Sequence, residues 1–284
     1  MSAPTPTDST LSLQPMVEVD SVGYSYPDGL RAVGDVSFEV QRGEIVTVIG
    51  PSGCGKSTLL RMLAGLREPT MGRIGRAPVE SGRLPCTMVF QEETLLPWLR
   101  VKDNVSLASR FNGNRISRSH RASADARAHE LLKMVGLDDF ANSWISTLSG
   151  GMKRRVAVLT ALAPTPALLL LDEPFSALDE PTRIGVHRDV YALLRRFEMS
   201  AVLVTHDLAE AITFSDRVLL LSRAPSHIVR EYKVPFPRER DMFDLRRLPE
   251  YQALYATIWK DFEVELKATT DGRAEGQLAW PTTC

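Results

Sequence analysis

Short apolar runs alternate with longer stretches of helical periodicity along most of this chain. Val17 to Tyr26, Val36 to Val40 and Glu44 to Ile49 read as strands, the last as an unbroken apolar run of the buried kind. Lys56 to Arg67 repeats its apolar positions at helical spacing and stops near Pro69 and Gly72. Strand signals return at Thr87 to Gln91, and Val101 to Arg110 and Ala122 to Val135 predict helices on either side of a polar stretch at Asn112 to Arg115. After Gly151 a helix is expected to about Ala163, followed by a buried strand at Ala167 to Leu171 and a helix over Pro181 to Met199. Strands at Ala201 to Thr205 and Arg217 to Leu221 complete the series. This alternation predicts an α/β fold around a mostly parallel core sheet. The helical stretch between Gln91 and Ser149 is too long for a loop, so an inserted helical subdomain is expected at about 92–155.

Both ends read differently. Residues 1–15 are rich in Ser, Thr and Pro, with no Lys or Arg and no apolar core, which predicts a disordered tail and not a secretory signal. Pro235, Pro237 and the charged Arg238 to Asp241 interrupt the pattern before a short helical piece at Tyr251 to Phe262, and the last twenty residues read as a polar tail. The main domain is therefore placed at 16–235 and a C-terminal extension and tail at 236–284.

The composition, 44% hydrophobic and 24% charged, suits an α/β protein, and a formal net charge of −1 argues against a nucleic-acid partner. The arginines at 110, 115, 118, 121 and 127 read as a solvated helical face. Cys54, Cys86 and Cys284 are scattered without ligand spacing, as expected in a reducing compartment. The longest apolar run, Ala167 to Leu171, has strand length, so no membrane span is expected.

The chemistry starts at Gly50-Pro51-Ser52-Gly53-Cys54-Gly55-Lys56-Ser57, a complete G-x-x-x-x-G-K-[ST] loop between a predicted strand and a predicted helix. Its backbone N–H groups, those of Thr58 and the helix N-terminus can surround a polyphosphate, Lys56 can reach the terminal phosphates, and Ser57 can ligate Mg²⁺. ATP or GTP is the expected ligand. Cys54 sits beside Lys56 and is read either as a thiol whose modification by a bulky reagent would block nucleotide binding or as a small, unreactive filler.

Asp172 and Glu173 follow the run Leu168 to Leu171, at the strand end where ligands collect in parallel sheets. Asp172 can hold Mg²⁺ through water, and Glu173 can polarise the water that attacks the γ phosphate. Leu148-Ser149-Gly150-Gly151-Met152 opens a helix; locally it is either a plain N-cap or a second anion site.

Taken with Ser176-Ala177-Leu178-Asp179 and Val204-Thr205-His206-Asp207, these segments resemble, in order, the ATPase subunit of an ABC transporter over about residues 17 to 230. The resemblance implies a P-loop fold with an antiparallel β-subdomain and a helical subdomain. It also implies a head-to-tail homodimer in which Ser149, Gly150, Gly151 and Met152 close over the partner's ATP. By the same resemblance Tyr26 stacks on adenine, Gln91 senses Mg²⁺ and water, and His206 contacts the γ phosphate. Asp179 then links the two sites, and Lys56, Glu173 and His206 form the catalytic set.

Met88-Val89-Phe90-Gln91-Glu92-Glu93-Thr94-Leu95-Leu96-Pro97-Trp98 resembles the nitrate, sulfonate and taurine importer branch. That implies two separate permease subunits, a periplasmic solute-binding protein, and a peripheral place on the cytoplasmic face of a bacterial inner membrane. Leu95, Leu96 and Trp98 are read either as a permease contact or as packing within the helical subdomain. Val158 to Leu162 lacks the arginine usual in the family's signature helix, and Arg73 to Met88 is shorter than its usual hairpin. An exporter ATPase or a non-transport ABC ATPase is the alternative; a guanine-reading Asn-Lys-x-Asp is absent.

Overall fold

The computed structural model describes residues 14–80, 83–92, 94–111 and 118–274. Most of the predicted tail at 1–15, the polar stretch at 112–115 and the last ten residues lie outside them.

Nine strands form one sheet among the described residues, in the order β4-β1-β2-β9-β8-β3-β7-β6-β5. They are β1 (Val17–Ser25), β2 (Arg31–Val40), β3 (Ile45–Ile49), β4 (Met71–Arg76), β5 (Cys86–Val89), β6 (Leu168–Asp172), β7 (Ser200–Val204), β8 (Arg217–Leu221) and β9 (Ser226–Lys233). The five strands β5, β6, β7, β3 and β8 run parallel, while β1 pairs antiparallel with both β2 and β4. The expected fold class holds, antiparallel β-subdomain included.

The apolar runs explain why the central strands sit where they do. Leu169 and Leu171 of β6 enter one core with Ala201 and Leu203 of β7, and Leu168 and Leu170 enter a second with Val202 and Val204. Both faces of the sheet are thus covered, so neither face selects polar residues. Helix α1 (Lys56–Leu63) lies on the second face; the helices α2 (Val101–Phe111), α3 (Arg118–Met134) and α4 (Gly150–Leu162) contribute to the first core. Ser149 caps α4 by accepting from Met152 N at 3.4 Å, and Asp179 caps α5 (Glu180–Arg196) by accepting from Thr182 N at 3.3 Å.

Several elements differ from the sequence expectation. Strand β4 was not expected: its sequence, Met-Gly-Arg-Ile-Gly-Arg, has no buried position, and backbone pairing with β1 alone makes it an edge strand. Strand β2 begins at Arg31, five residues before the predicted start at Val36, because its first half pairs with β1. Strand β9 and the helix α6 (Leu208–Phe214) are also additions, the latter capped by Asp207, which accepts from Ala209 N and Glu210 N.

After α7 (Met242–Leu245), the last helix α8 spans Pro249–Ala274, well beyond Tyr251 to Phe262 and into residues read as polar tail. Tyr251, Ile258 and Phe262 anchor it in a third core with Leu208, Val218 and Tyr232, so packing is continuous across residue 235.

Candidate functional site

Two glycines of the loop after β3 leave little room for a Cβ. Gly55 caps α1 with φ +99°, and a Cβ there would sit 2.8 Å from the Ala32 carbonyl oxygen; one at Gly50 would sit 2.8 Å from Cys54 Sγ. The loop and the facing β-subdomain enclose a cavity of about 620 Å³, lined by Tyr26, Ser52, Gly53, Gly55, Lys56, Ser57, Thr58, Arg61 and Glu173 among others. Gly50, Pro51 and Cys54 stand behind this lining.

Within the loop Lys56 is buried, and its Nζ donates to the carbonyls of Gly50 at 2.8 Å and Pro51 at 3.0 Å. Cys54 is 1% exposed, its Sγ faces Lys56 Nζ at 4.0 Å, and burial pushes its thiol up from the ordinary value. Of the two sequence readings the structure favours the filler: Cys54 fills space under the loop, protonated and shielded.

Ser57 Oγ donates to Asp172 Oδ1 at 2.8 Å, joining the loop to the end of β6. Burial pushes the Asp172 carboxyl up, against the pull of the Ser57 hydroxyl and of Arg61 and Lys56. A buried carboxylate held against a hydroxyl beside a polar cavity is a donor set that fits Mg²⁺, an ion that keeps much of its shell as water and phosphate oxygen. No cluster of three or more His, Cys, Asp or Glu residues able to hold a metal occurs among the described residues.

Glu173 leaves the strand with φ +42°, an unusual conformation for a residue with a Cβ. Its N–H donates to Val204 O at 2.9 Å, and Ser176 Oγ donates to its carbonyl at 3.1 Å, which fixes the turn. The carboxylate then meets two predicted partners at one oxygen. Gln91 Nε2 donates to Glu173 Oε2 at 3.3 Å, and His206 Nδ1 lies 3.3 Å from the same atom. Gln91 and His206 are both exposed, so their remaining polar atoms are open to a ligand.

The signature residues lie elsewhere. Gly150 borders a second cavity of about 410 Å³ with Gln91, Lys153, Glu173, Ala177 and Leu178, and none of Ser149 to Met152 lines the cavity over the phosphate loop. Asp179 is exposed, and the hydrogen bond from Thr182 holds its carboxyl below the usual carboxylate range.

Sequence reasoning missed a buried polar group behind the Glu173 and His206 pair. Glu210 accepts from the Thr205 hydroxyl through Oε2, and its Oε1 lies 3.2 Å from His187 Nε2. His187 in turn packs edge to face on Phe175 at 4.1 Å, two residues past Glu173. A lone Glu and a lone His on separate helices carried no spacing signal that could have joined them.

Comparison with known proteins agrees with the geometry. Residues 33–176 match the ABC transporter family. The chain is 39% identical over 252 residues to the uncharacterized ABC transporter ATP-binding protein YtlC of Bacillus subtilis, covering 86% of this chain and 95% of that one. It is 36% identical over 265 residues to the taurine import ATP-binding protein TauB of a Jannaschia species, covering 89% and 97%. With the nitrate import ATP-binding protein NrtC of a Synechocystis species it shares 39% identity over 252 residues, 85% of this chain and 37% of that longer one. Among solved structures, the dimeric post-hydrolysis state of the ATP-binding cassette MJ0796 bound to ADP and Pi superposes with a TM-score of 0.65 at 32% identity, covering 78% of this chain and all of that one.

Proposed function

The chain belongs to the ABC transporter family, and from that premise we propose that it is the ATP-hydrolysing subunit of a bacterial importer for a small anion or sulfonate of the nitrate and taurine type. It is an ABC-type ATPase. The observation that carries its catalytic reading is the convergence of Gln91 and His206 on one oxygen of Glu173, at the mouth of the Lys56 and Ser57 cavity.

In this reading the loop from Gly50 to Thr58 holds the triphosphate through its backbone N–H groups, and Tyr26 stacks on the base. Lys56 exchanges its two loop carbonyls for phosphate oxygens, a substitution within reach of the same ammonium. Ser57 and Asp172, with Gln91 close by, would hold Mg²⁺. The chemistry supplied by that ion is charge neutralisation at the phosphate oxygens. Glu173 accepts the proton of the attacking water, and Gln91 and His206 keep its carboxylate aimed at the cavity.

The separation of Ser149 to Met152 from this cavity supports a second copy as the supplier of the missing wall, the electrostatic cage closing only in a homodimer. No helix among the described residues is long and apolar enough to cross a membrane, which fits coupling to two separate permease subunits. The subunit would lie peripherally on the cytoplasmic face of the inner membrane, its solute delivered by a periplasmic binding protein. The test is uptake of nitrate, taurine and an alkanesulfonate in cells lacking this chain, complemented by the wild type or by Glu173→Gln. Uptake of all three that does not depend on the chain would sink the importer assignment.

A further inference from the structure

The base-stacking reading of Tyr26 leaves open what holds the ring in place. Tyr26 lines the cavity over the phosphate loop, and Tyr24 and Arg67 are not among its lining residues. Arg67 lies just beyond α1, and its guanidinium carbon is 5.0 Å from the Tyr26 ring centroid and 4.8 Å from that of Tyr24. The two rings meet edge to face, 5.1 Å apart at 88°. Tyr26 Oη and Thr58 Oγ1 share a hydrogen bond of 3.1 Å, which ties the ring to the start of α1.

The Arg67 Nη1 atom is buried and finds no hydrogen-bond partner among the described residues. A guanidinium N–H out of water is costly unless something replaces its hydration, and the faces of the two aromatic rings, together with the Tyr26 hydroxyl that the same guanidinium acts on, are the groups in range. The cation therefore needs the rings as much as the rings need it. Removing the charge would leave Tyr26 held only by Thr58 and the edge of Tyr24, and a nucleotide would then have to complete the ordering of the ring as it binds.

We propose that Arg67 is a positioning residue of the nucleotide site, clamping Tyr26 from behind through cation–π contact so that the ring is ordered before the adenine base arrives. The proposal rests on the reading of Tyr26 as the base platform. It is specific in one respect: Arg67 acts on the base and not on the phosphates.

The full chain would be titrated with ATP and, separately, with inorganic tripolyphosphate, both with Mg²⁺, for the wild type, Arg67→Met, Arg67→Lys and Tyr26→Ala. Arg67→Met should weaken ATP by about three- to tenfold, the range of a cation–π contact, and leave tripolyphosphate unchanged. Arg67→Lys should retain part of the wild-type affinity, and the Tyr26→Ala, Arg67→Met double variant should bind ATP no more weakly than Tyr26→Ala alone. Wild-type ATP affinity in Arg67→Met, or an equal loss for both ligands, would overturn the proposal; the equal loss would mark a phosphate contact or a damaged fold. Wild-type ATP affinity in Tyr26→Ala would overturn the platform reading itself, a result distinguishable from failure at Arg67 alone.

Discussion

Glu173 Oε2 and His206 Nδ1 lie 3.3 Å apart across the ends of two adjacent parallel strands, although 32 positions separate the residues in the chain. The pairing of β6 with β7 continues one step past Asp172, where Glu173 N donates to Val204 O, and this step sets the φ of +42° that turns the carboxylate toward His206. A backbone held in a sparsely populated conformation by two hydrogen bonds is a fixed mount for a reacting group.

Replacing that carboxylate tests the mount directly. Glu173→Gln keeps the shape and can still bond to Gln91 and His206, but it cannot accept a proton from water. Phosphate release should fall by about 10² to 10⁴ while ATP affinity stays near that of the wild type. Size-exclusion chromatography with ATP should show the variant accumulating as a dimer. Undiminished turnover would remove Glu173 from the role of general base.

Asp172 gives a prediction whose sign is opposite to that of most carboxylates. Burial raises its folded pKa above the unfolded value, so the ionised group costs stability at high pH, and this cost disappears once pH falls below the unfolded pKa near about 4. Asp172→Asn preserves an acceptor for the Ser57 hydroxyl and removes the charge. The nucleotide-free variant should therefore melt above the wild type at pH 7 to 8, the gap closing as pH drops toward 4. Mg²⁺-dependent ATP binding should fall in the same variant. A lower melting temperature at pH 8 would refute the electrostatic account of this site.

Cys54 should resist modification. With the thiol 1% exposed and held protonated by burial, a bulky maleimide should leave it unlabelled in the folded chain, with or without MgATP. Peptide mapping by mass spectrometry would show this. Rapid labelling that MgATP prevents would mean that the loop opens far more often than its packing implies.

How much of this was legible beforehand follows from where each feature is encoded. The phosphate loop, Asp172 and Glu173 were readable because the reaction requires those groups at fixed offsets beside buried strands. Gln91 and His206 were found only through resemblance, since a lone Gln or His has no spacing of its own. Strand β4 was invisible because its stability lies in pairing with β1, and its side chains carry no alternation. The same holds for Arg67, which reads as an ordinary charge closing a helix until the fold sets it against Tyr24 and Tyr26. Helix α8 was cut short because much of the core its apolar positions join comes from β9 and α6, elements the sequence reading had not proposed.

The structure divides the segment just after Gln91 into buried and exposed parts. Leu95 is buried in the first core and Leu96 is half-buried, so the packing reading holds for Leu95 and a surface contact is left to Trp98 with Pro97 beside it. Asn104 holds the segment in shape: its Nδ2 donates to the Leu96 carbonyl at 3.1 Å and its Oδ1 accepts from Leu96 N at 2.8 Å. Trp98 is left 68% exposed on this braced loop, an indole with too little packing to be a core residue. Trp98→Ala should therefore leave the melting temperature and ATP affinity of the isolated subunit unchanged, while weakening permease association by about 2 kcal/mol or more if the indole is an interface anchor. Leu95→Ala is the internal control, since deleting a core leucine should cost about 2 to 5 kcal/mol of stability. A pull-down of permease subunits alongside thermal melts separates the two effects. Intact assembly with Trp98→Ala would show that the coupling surface lies elsewhere, and a marked loss of stability in that variant would mean the indole packs more tightly than its exposure allows.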